Sequence, residues 1–195
     1  MESTRLPGKP LKLIGNKTLI QRVYEQALQS KAKKVLVATD SEEIISHCSN
    51  NSIDTVLTRS DHLTGSDRLA EAVNNLNLEG DQIVVNVQGD EPLIEPATID
   101  AVSSCLLTAQ NRGIELATGY IEKATDDQLN DLSVVHLVPS MDGCVITFTR
   151  LPAPYPLVET MQRTVHVGLY AFTRKALRLF SQLERGPVER AESIE

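Results

Sequence analysis

Two short apolar runs, VLVATD at residues 35–40 and QIVVNV at residues 82–87, end abruptly in polar residues and are separated by stretches of helical periodicity. Runs of this length, rich in β-branched residues, are strands buried on both faces. Helical patterns between such strands are crossover connections. The alternation predicts an α/β fold: a Rossmann-like mixed, mainly parallel sheet flanked by helices, with ligands beyond the carboxyl ends of the strands. Apolar Leu19, Ile20, Val23, Tyr24, Ala27 and Leu28 recur at helical spacing and mark a first amphipathic helix over 19–29. Further helices are expected over 41–48, capped by Asp40 or Ser41, over 67–76, capped by Ser66 or Asp67, and over 97–110. A short strand is expected at 55–57, and residues 3–18 read as loop.

Beyond Gly113 the texture changes. Residues 116–121, 134–138, 144–148 and 164–172 read as strands with few helices between them, the middle pair forming a hairpin around PSMDG. Helices return at 174–183 and from Val188. The expectation is a single mixed α/β domain over 1–195 with a β-rich excursion at about 133–172.

Charge narrows the function classes. Residues 1–34 carry a net +6 and residues 35–195 a net −13, so the whole chain is at −7. A general nucleic-acid binder needs many phosphate-neutralising cations, and one that stacks bases needs aromatic platforms; this chain is acidic and only 4% aromatic. Cys48, Cys105 and Cys144 are odd in number and lack metal-ligand spacing, as expected of reduced thiols in a cytoplasmic protein. No apolar run approaches a membrane span.

Three segments carry candidate chemistry. In STRLPGKPL, Gly8 between Pro7 and Lys9 allows a tight loop, while Arg5 and Lys9 bring two cations to hold a polyphosphate. A basic loop with ordinary turn residues explains the same letters. In VVNVQGDEPLI, Asp90 follows a buried strand and suits Mg²⁺, Gly89 permits close backbone approach and Gln88 can read polar edges; strand-end turn chemistry is the alternative. In LTGSDRLAEAV, a capped helix start with Arg68 and Glu71 on its solvent side would suit a phosphate or base, or simply be an amphipathic helix. Later, Arg150 ends the ITFTR strand and His166 and Tyr170 flank Gly168 on one strand face. An anionic sugar carboxylate would use such a grouping, although isolated Arg and His residues at strand ends are commonly surface or core groups.

STRLPGKPL, VATD, TGSDRLAE, VQGDEPLI, the ITFTR strand and HVGLYAF, in this order, closely resemble the 3-deoxy-manno-octulosonate (KDO) cytidylyltransferase family across essentially the whole chain. The resemblance implies a Mg²⁺-dependent homodimeric enzyme that converts CTP and KDO to CMP-KDO and diphosphate for lipopolysaccharide biosynthesis, with no nucleic-acid partner. It puts Ser3, Arg5 and Lys9 at the CTP phosphates, Thr64, Gly65 and Ser66 near the nucleotide, Gln88 and Gly89 beside the nucleoside, and makes Asp90 the metal ligand. Arg150, His166, Tyr170 and Glu195 match sugar-side positions. Activation of another acidic sugar, or nucleotide binding and assembly without turnover, are the alternatives. The family has an apolar strand and a PAR-type segment before the STRLPGK loop, and a VDTPED-like loop with a second metal-binding Asp late in the chain. Here Met1 stands two residues before Ser3 and the late loop is absent, so a fragment, a mis-started reading or a shortened relative with impaired turnover is expected.

Overall fold

A computed structural model describes residues 8–76, 82–122, 125–151, 153–154 and 163–194. Ser3, Arg5 and Glu195 lie outside the described residues. In chain order the elements are a 3-10 turn (Lys9–Leu11), β1 (Leu13–Ile14), β2 (Lys17–Thr18), α1 (Leu19–Leu28), β3 (Val37–Thr39), α2 (Glu42–Asn50), β4 (Thr55–Leu57), α3 (Gly65–Asn75), β5 (Ile83–Asn86), α4 (Pro96–Ala109), β6 (Leu116–Ile121), α5 (Asp126–Asn130), β7 (His136–Pro139), β8 (Val145–Thr149), β9 (Thr164–Thr173), α6 (Arg174–Phe180) and α7 (Pro187–Glu192). They fall into two compact units, Met1–Ala117 with Leu169–Leu183, and Thr118–Gly168 with Glu184–Glu195.

The first unit is the helix-flanked part of a mixed α/β Rossmann-like fold. β3 and β4 pair in parallel, Val37 opposite Thr55 through Thr39 opposite Leu57. α2, which connects them, is the crossover that such a pair requires. Ser41 caps it, its hydroxyl accepting the Ile44 N–H, and Glu42 and Glu43 occupy the electropositive first turn. Cys48, on the inner face of α2, is fully buried. β5 pairs antiparallel with the end of β9, from Ile83 opposite Thr173 to Asn86 opposite Tyr170.

Packing follows the periodicity. Leu19, Ile20, Val23 and Ala27 form the buried stripe of α1. Ala70 and Val73 of α3 join Tyr170 and Phe172 of β9 and Leu177 of α6 in one apolar cluster, with Leu69, Val84, Leu116 and Phe180 against it. Phe172 lies between Tyr170 and Phe180, its ring centroid 6.0 and 5.9 Å from theirs. Fully burying an aromatic ring of this size stabilises a fold by roughly 1.5–3 kcal/mol relative to leaving it exposed.

Two local expectations are corrected here. Residues 13–18 are a small hairpin rather than loop: β1 and β2 pair antiparallel around Gly15, whose φ of 67° is the left-handed conformation that glycine adopts without strain. The helix expected from Asp67 begins at Gly65, because the Thr64 hydroxyl accepts the Asp67 N–H at 3.1 Å and takes the capping role from Ser66 and Asp67.

The second unit is mostly antiparallel. β7 and β8 form the expected hairpin, Ser140 and Cys144 closing its turn through a 2.7 Å backbone bond and Gly143 at φ 82°. β7 also pairs with the start of β9, His136 opposite Val165 and Leu137 opposite Thr164. The short α5 was not expected; a capping box between Thr125 and Gln128 starts it.

Candidate functional site

The N-terminal turn begins at Gly8, whose φ of 66° turns the chain before Lys9, while Pro10, second in the 3-10 turn, has a φ already suited to it. The Leu11 N–H returns to the Gly8 carbonyl at 3.0 Å. Thr18, at the end of the β1–β2 hairpin, caps α1 and bonds His47 of α2 at 2.9 Å, which ties the hairpin to the crossover helix. The outcome is Lys9 facing the end of β5, where its ammonium donates to Asp90 Oδ2 at 2.6 Å.

Asp90 is held by a backbone turn. The Glu91 N–H bonds the Gln88 carbonyl at 3.2 Å and the Ile94 N–H bonds the Glu91 carbonyl at 3.1 Å. Gln88, Gly89 and Asp90 are all exposed, the position expected of ligand groups beyond a strand end. A side chain at Gly89 would meet Ile20 Cδ1 of α1 at 3.3 Å, so the glycine also admits the helix. Among the described residues no group of three or more His, Cys, Asp or Glu side chains is arranged to hold a metal by itself. A solvent-reachable carboxylate that already carries a cationic ammonium nevertheless fits Mg²⁺, which binds through one or two carboxylates plus substrate phosphates and water.

The carboxyl ends of β3 and β4 form a second polar centre. Thr39 and Thr58 are buried there, and the Thr58 N–H bonds the Thr39 carbonyl at 2.9 Å. Arg68, from the first turn of α3, donates to Thr58 Oγ1 at 2.6 Å and to the Arg59 carbonyl at 3.2 Å, and pairs with Asp40 at 3.3 Å. Its side chain is 13% exposed, not on the solvent side as the periodicity suggested. One turn on, Glu71 accepts the Arg59 backbone N–H at 3.1 Å, the Arg59 side chain at 3.3 Å, and the His62 ring. Burial alone would raise the Glu71 carboxyl; the bonds from His62 and Arg59 more than reverse this and hold it below the ordinary range. Thr64, Gly65 and Ser66 follow directly, with Gly65 exposed and Ser66 buried at the helix start.

The sugar-side residues divide between the two units. Within the second, Arg150 is engaged by backbone: its guanidinium donates to the carbonyls of Leu132 at 3.0 Å, Ser133 at 3.2 Å and Ser193 at 3.0 Å, and to that of Glu192. The Glu192 carboxylate accepts from the Arg150 N–H and from Thr149 Oγ1 at 3.2 Å. His166 bonds Thr118 Oγ1 at 2.9 Å and lies edge-on to Phe148, centroids 5.0 Å apart. Burial pushes its imidazole down to about 4, so the ring is neutral at pH 7. Within the first unit Tyr170 is 7% exposed and belongs to the apolar cluster of Phe172 and Leu177.

Sequence reasoning singled out Glu71 with Arg68 but placed it on the solvent side, where it is in fact only 21% exposed, and it missed His62 and Glu192. Glu192 had no signal, because its partner is 42 residues away.

Comparison with known proteins gives consistent results. A family profile described as cytidylyltransferase matches residues 1–195. The 3-deoxy-manno-octulosonate cytidylyltransferase of Polynucleobacter asymbioticus is 40% identical over 198 residues, covering 99% of this chain and 77% of the relative. The enzyme of that description from Pseudomonas fluorescens is 43% identical over 206 residues, covering 99% and 79%. A solved CMP:2-keto-3-deoxy-manno-octonic acid synthetase complexed with CTP superposes with a TM-score of 0.90 at 36% identity, covering 98% of this chain and 78% of that one. A cytidylyltransferase from Leptospira borgpetersenii, at 22% identity and TM-score 0.59, shares the fold.

Proposed function

The chain belongs to the 3-deoxy-manno-octulosonate cytidylyltransferase family, and from that premise we propose that it transfers CMP from CTP to KDO, giving CMP-KDO and diphosphate for lipopolysaccharide biosynthesis. The observation that carries this reading to particular residues is the 2.6 Å pairing of Lys9 with Asp90, which joins a glycine-initiated cationic turn to a strand-end carboxylate. A nucleoside triphosphate needs both: cations for its phosphates and a hard oxygen ligand for the metal it carries.

In this reading Lys9 leaves Asp90 for the phosphate oxygens, with Arg5 and Ser3 adding donors. Thr64, Gly65 and Ser66 receive the nucleotide at the start of α3, where backbone N–H groups and the helix dipole favour negative charge. Gln88 and Gly89 lie beside the nucleoside. Asp90 would hold Mg²⁺, which when bound would neutralise charge developing on the phosphates. The anomeric oxygen of KDO attacks the α-phosphorus in line, a new P–O bond forms, the bond to diphosphate breaks, and the hydroxyl proton leaves to solvent. The work of the protein is alignment and charge neutralisation, the dominant contributions in phosphoryl transfer.

Arg150 is assigned to the sugar carboxylate; His166, Tyr170 and Glu195 are assigned to the sugar on the family resemblance alone. To offer its planar fork, Arg150 exchanges carbonyl partners at Glu192 and Ser193 for the carboxylate. The neutral His166 ring suits hydrogen bonding to sugar hydroxyls rather than ion pairing. A homodimer is proposed as well, on family grounds and on the exposure of Ile146 and Leu151 at and just after β8 and of Leu132, all about two-thirds accessible. No described helix is long and apolar enough to cross a membrane, in keeping with a cytoplasmic setting.

The test is diphosphate release from CTP and KDO at varied Mg²⁺. The reading expects release to require all three and to fall by at least two orders of magnitude in Asp90→Asn. Undiminished Mg²⁺-dependent turnover in that variant removes Asp90 from the metal site. Turnover with a different acidic sugar and none with KDO replaces the substrate.

A further inference from the structure

The peptide unit at Arg59 is gripped on both sides by one helix. Its N–H goes to Glu71 Oε1 at 3.1 Å and its C=O receives the Arg68 guanidinium at 3.2 Å. Both side chains come from the same face of α3, three residues apart. Glu71 also accepts from His62, whose side chain is 7% exposed. The carboxylate is ionised and can only accept, so His62 donates from Nε2. Arg59 and His62 bracket the stretch between β4 and α3, so its conformation is set from the helix it leads into.

The two ends of that stretch are anchored by Thr58, which bonds Thr39 and Arg68, and by the Thr64 cap, while its tip is open. Asp61 and Leu63 are exposed, and the Arg59 side chain is 69% exposed, so its pairing with Glu71 adds little. The backbone bond is different in kind. A hydrogen bond to a charged, partly buried acceptor is stronger than one between neutral groups and favours one loop conformation over its competitors.

We propose that Glu71 is a positioning residue for the nucleotide. By holding the Arg59 N–H and the His62 ring, it fixes residues 58–64 and through them the backbone of Thr64, Gly65 and Ser66 in the geometry that receives CTP. The inference rests on the reading that CTP binds at those three residues. Glu71 itself touches no substrate. Its effect travels from His62 through Leu63 to Thr64, the cap of α3. Small displacements matter here: backbone N–H groups bind phosphate or base oxygens well only within a few tenths of an ångström of their best distance.

The experiment titrates CTP calorimetrically at fixed Mg²⁺ into the full chain and into Glu71→Ala and Glu71→Gln, and follows backbone amide exchange in the free proteins. Glu71→Ala is expected to bind CTP about tenfold more weakly, with faster exchange confined to residues 58–66. Glu71→Gln should recover affinity to within about threefold. Its amide oxygen still accepts the Arg59 N–H, and its N–H can be accepted by His62 in the other tautomer. Unchanged CTP affinity in Glu71→Ala overturns the positioning role while leaving the nucleotide reading intact. An equal loss in both variants overturns it in favour of a purely charge-based effect, and loss of exchange protection throughout the first unit overturns it in favour of general destabilisation. A parent chain that does not bind CTP at all overturns the nucleotide reading beneath it.

Discussion

The Lys9 ammonium stands 2.6 Å from the Asp90 carboxylate, 81 residues away in sequence. Both side chains are about two-fifths exposed, and ion pairs in such surroundings contribute only ~0–1 kcal/mol to stability. A contact so weakly stabilising is free to be exchanged. In the proposed reaction both partners are needed elsewhere, Lys9 on phosphate and Asp90 on metal.

Exchange of that pair predicts coupled binding. Lys9→Met should leave the melting temperature within a few degrees of the parent, tighten Mn²⁺ binding to the nucleotide-free protein, and weaken CTP binding. Paramagnetic relaxation of water protons by Mn²⁺ measures the first affinity without turnover. Equal Mn²⁺ affinity in variant and parent would mean that the ammonium does not compete at Asp90.

Arg150→Gln separates substrate recognition from folding. The amide cannot present a charged fork, so kcat/KM for KDO is expected to drop by about two orders of magnitude while CTP affinity stays within twofold. The same change strips α7 of side-chain bonds to the Glu192 and Ser193 carbonyls. Faster amide exchange should therefore appear in residues 187–193. An equal loss in CTP and KDO dependence points to collapse instead.

His166 makes stability pH-dependent with a definite sign. Burial holds its imidazole near 4, below the ordinary 6.5, so the unfolded chain takes up the proton first as pH falls. Its contribution is complete above about pH 6.5 and is lost progressively down to about pH 4, amounting to roughly 2–3 kcal/mol. Urea unfolding at pH 7.5 and 4.5 should show this difference in the parent, and His166→Gln should reduce it. An identical pH dependence in the variant assigns the effect to other groups.

The core prediction is a control on all of these. Phe172 is 1% exposed between two rings, so Phe172→Ala should destabilise the chain by about 3–5 kcal/mol. A cost below about 1 kcal/mol by chemical denaturation would contradict that packing.

How much the letters reveal depends on the range over which a residue acts. Helix α1 and strand β4 are readable because the periodicity of Leu19, Ile20, Val23 and Ala27, and the β-branched Thr55 and Val56, encode burial locally. The cap of α3 is misplaced by two or three residues because Thr64, Ser66 and Asp67 all carry capping chemistry, and only backbone geometry decides among them. Asp90 is legible as a strand-end carboxylate, yet its partner is not, since nothing near residue 90 points to Lys9. Arg150 shows the limit: a guanidinium at a strand end reads as a ligand group, while four backbone carbonyls at 132, 133, 192 and 193 are invisible to any pattern.

Cys48 offers a different use of the fold. It is fully buried on the inner face of α2, and burial raises its thiol further from the reactive thiolate, whereas Cys105 is exposed on α4. A thiol reagent will therefore modify Cys105 at once and reach Cys48 only when α2 swings away from the parallel pair. The slow phase of modification is a clock for that opening. If a bound nucleotide holds down the strand ends that α2 joins, the clock slows, and ligand engagement becomes readable from a single native sulfur without a label.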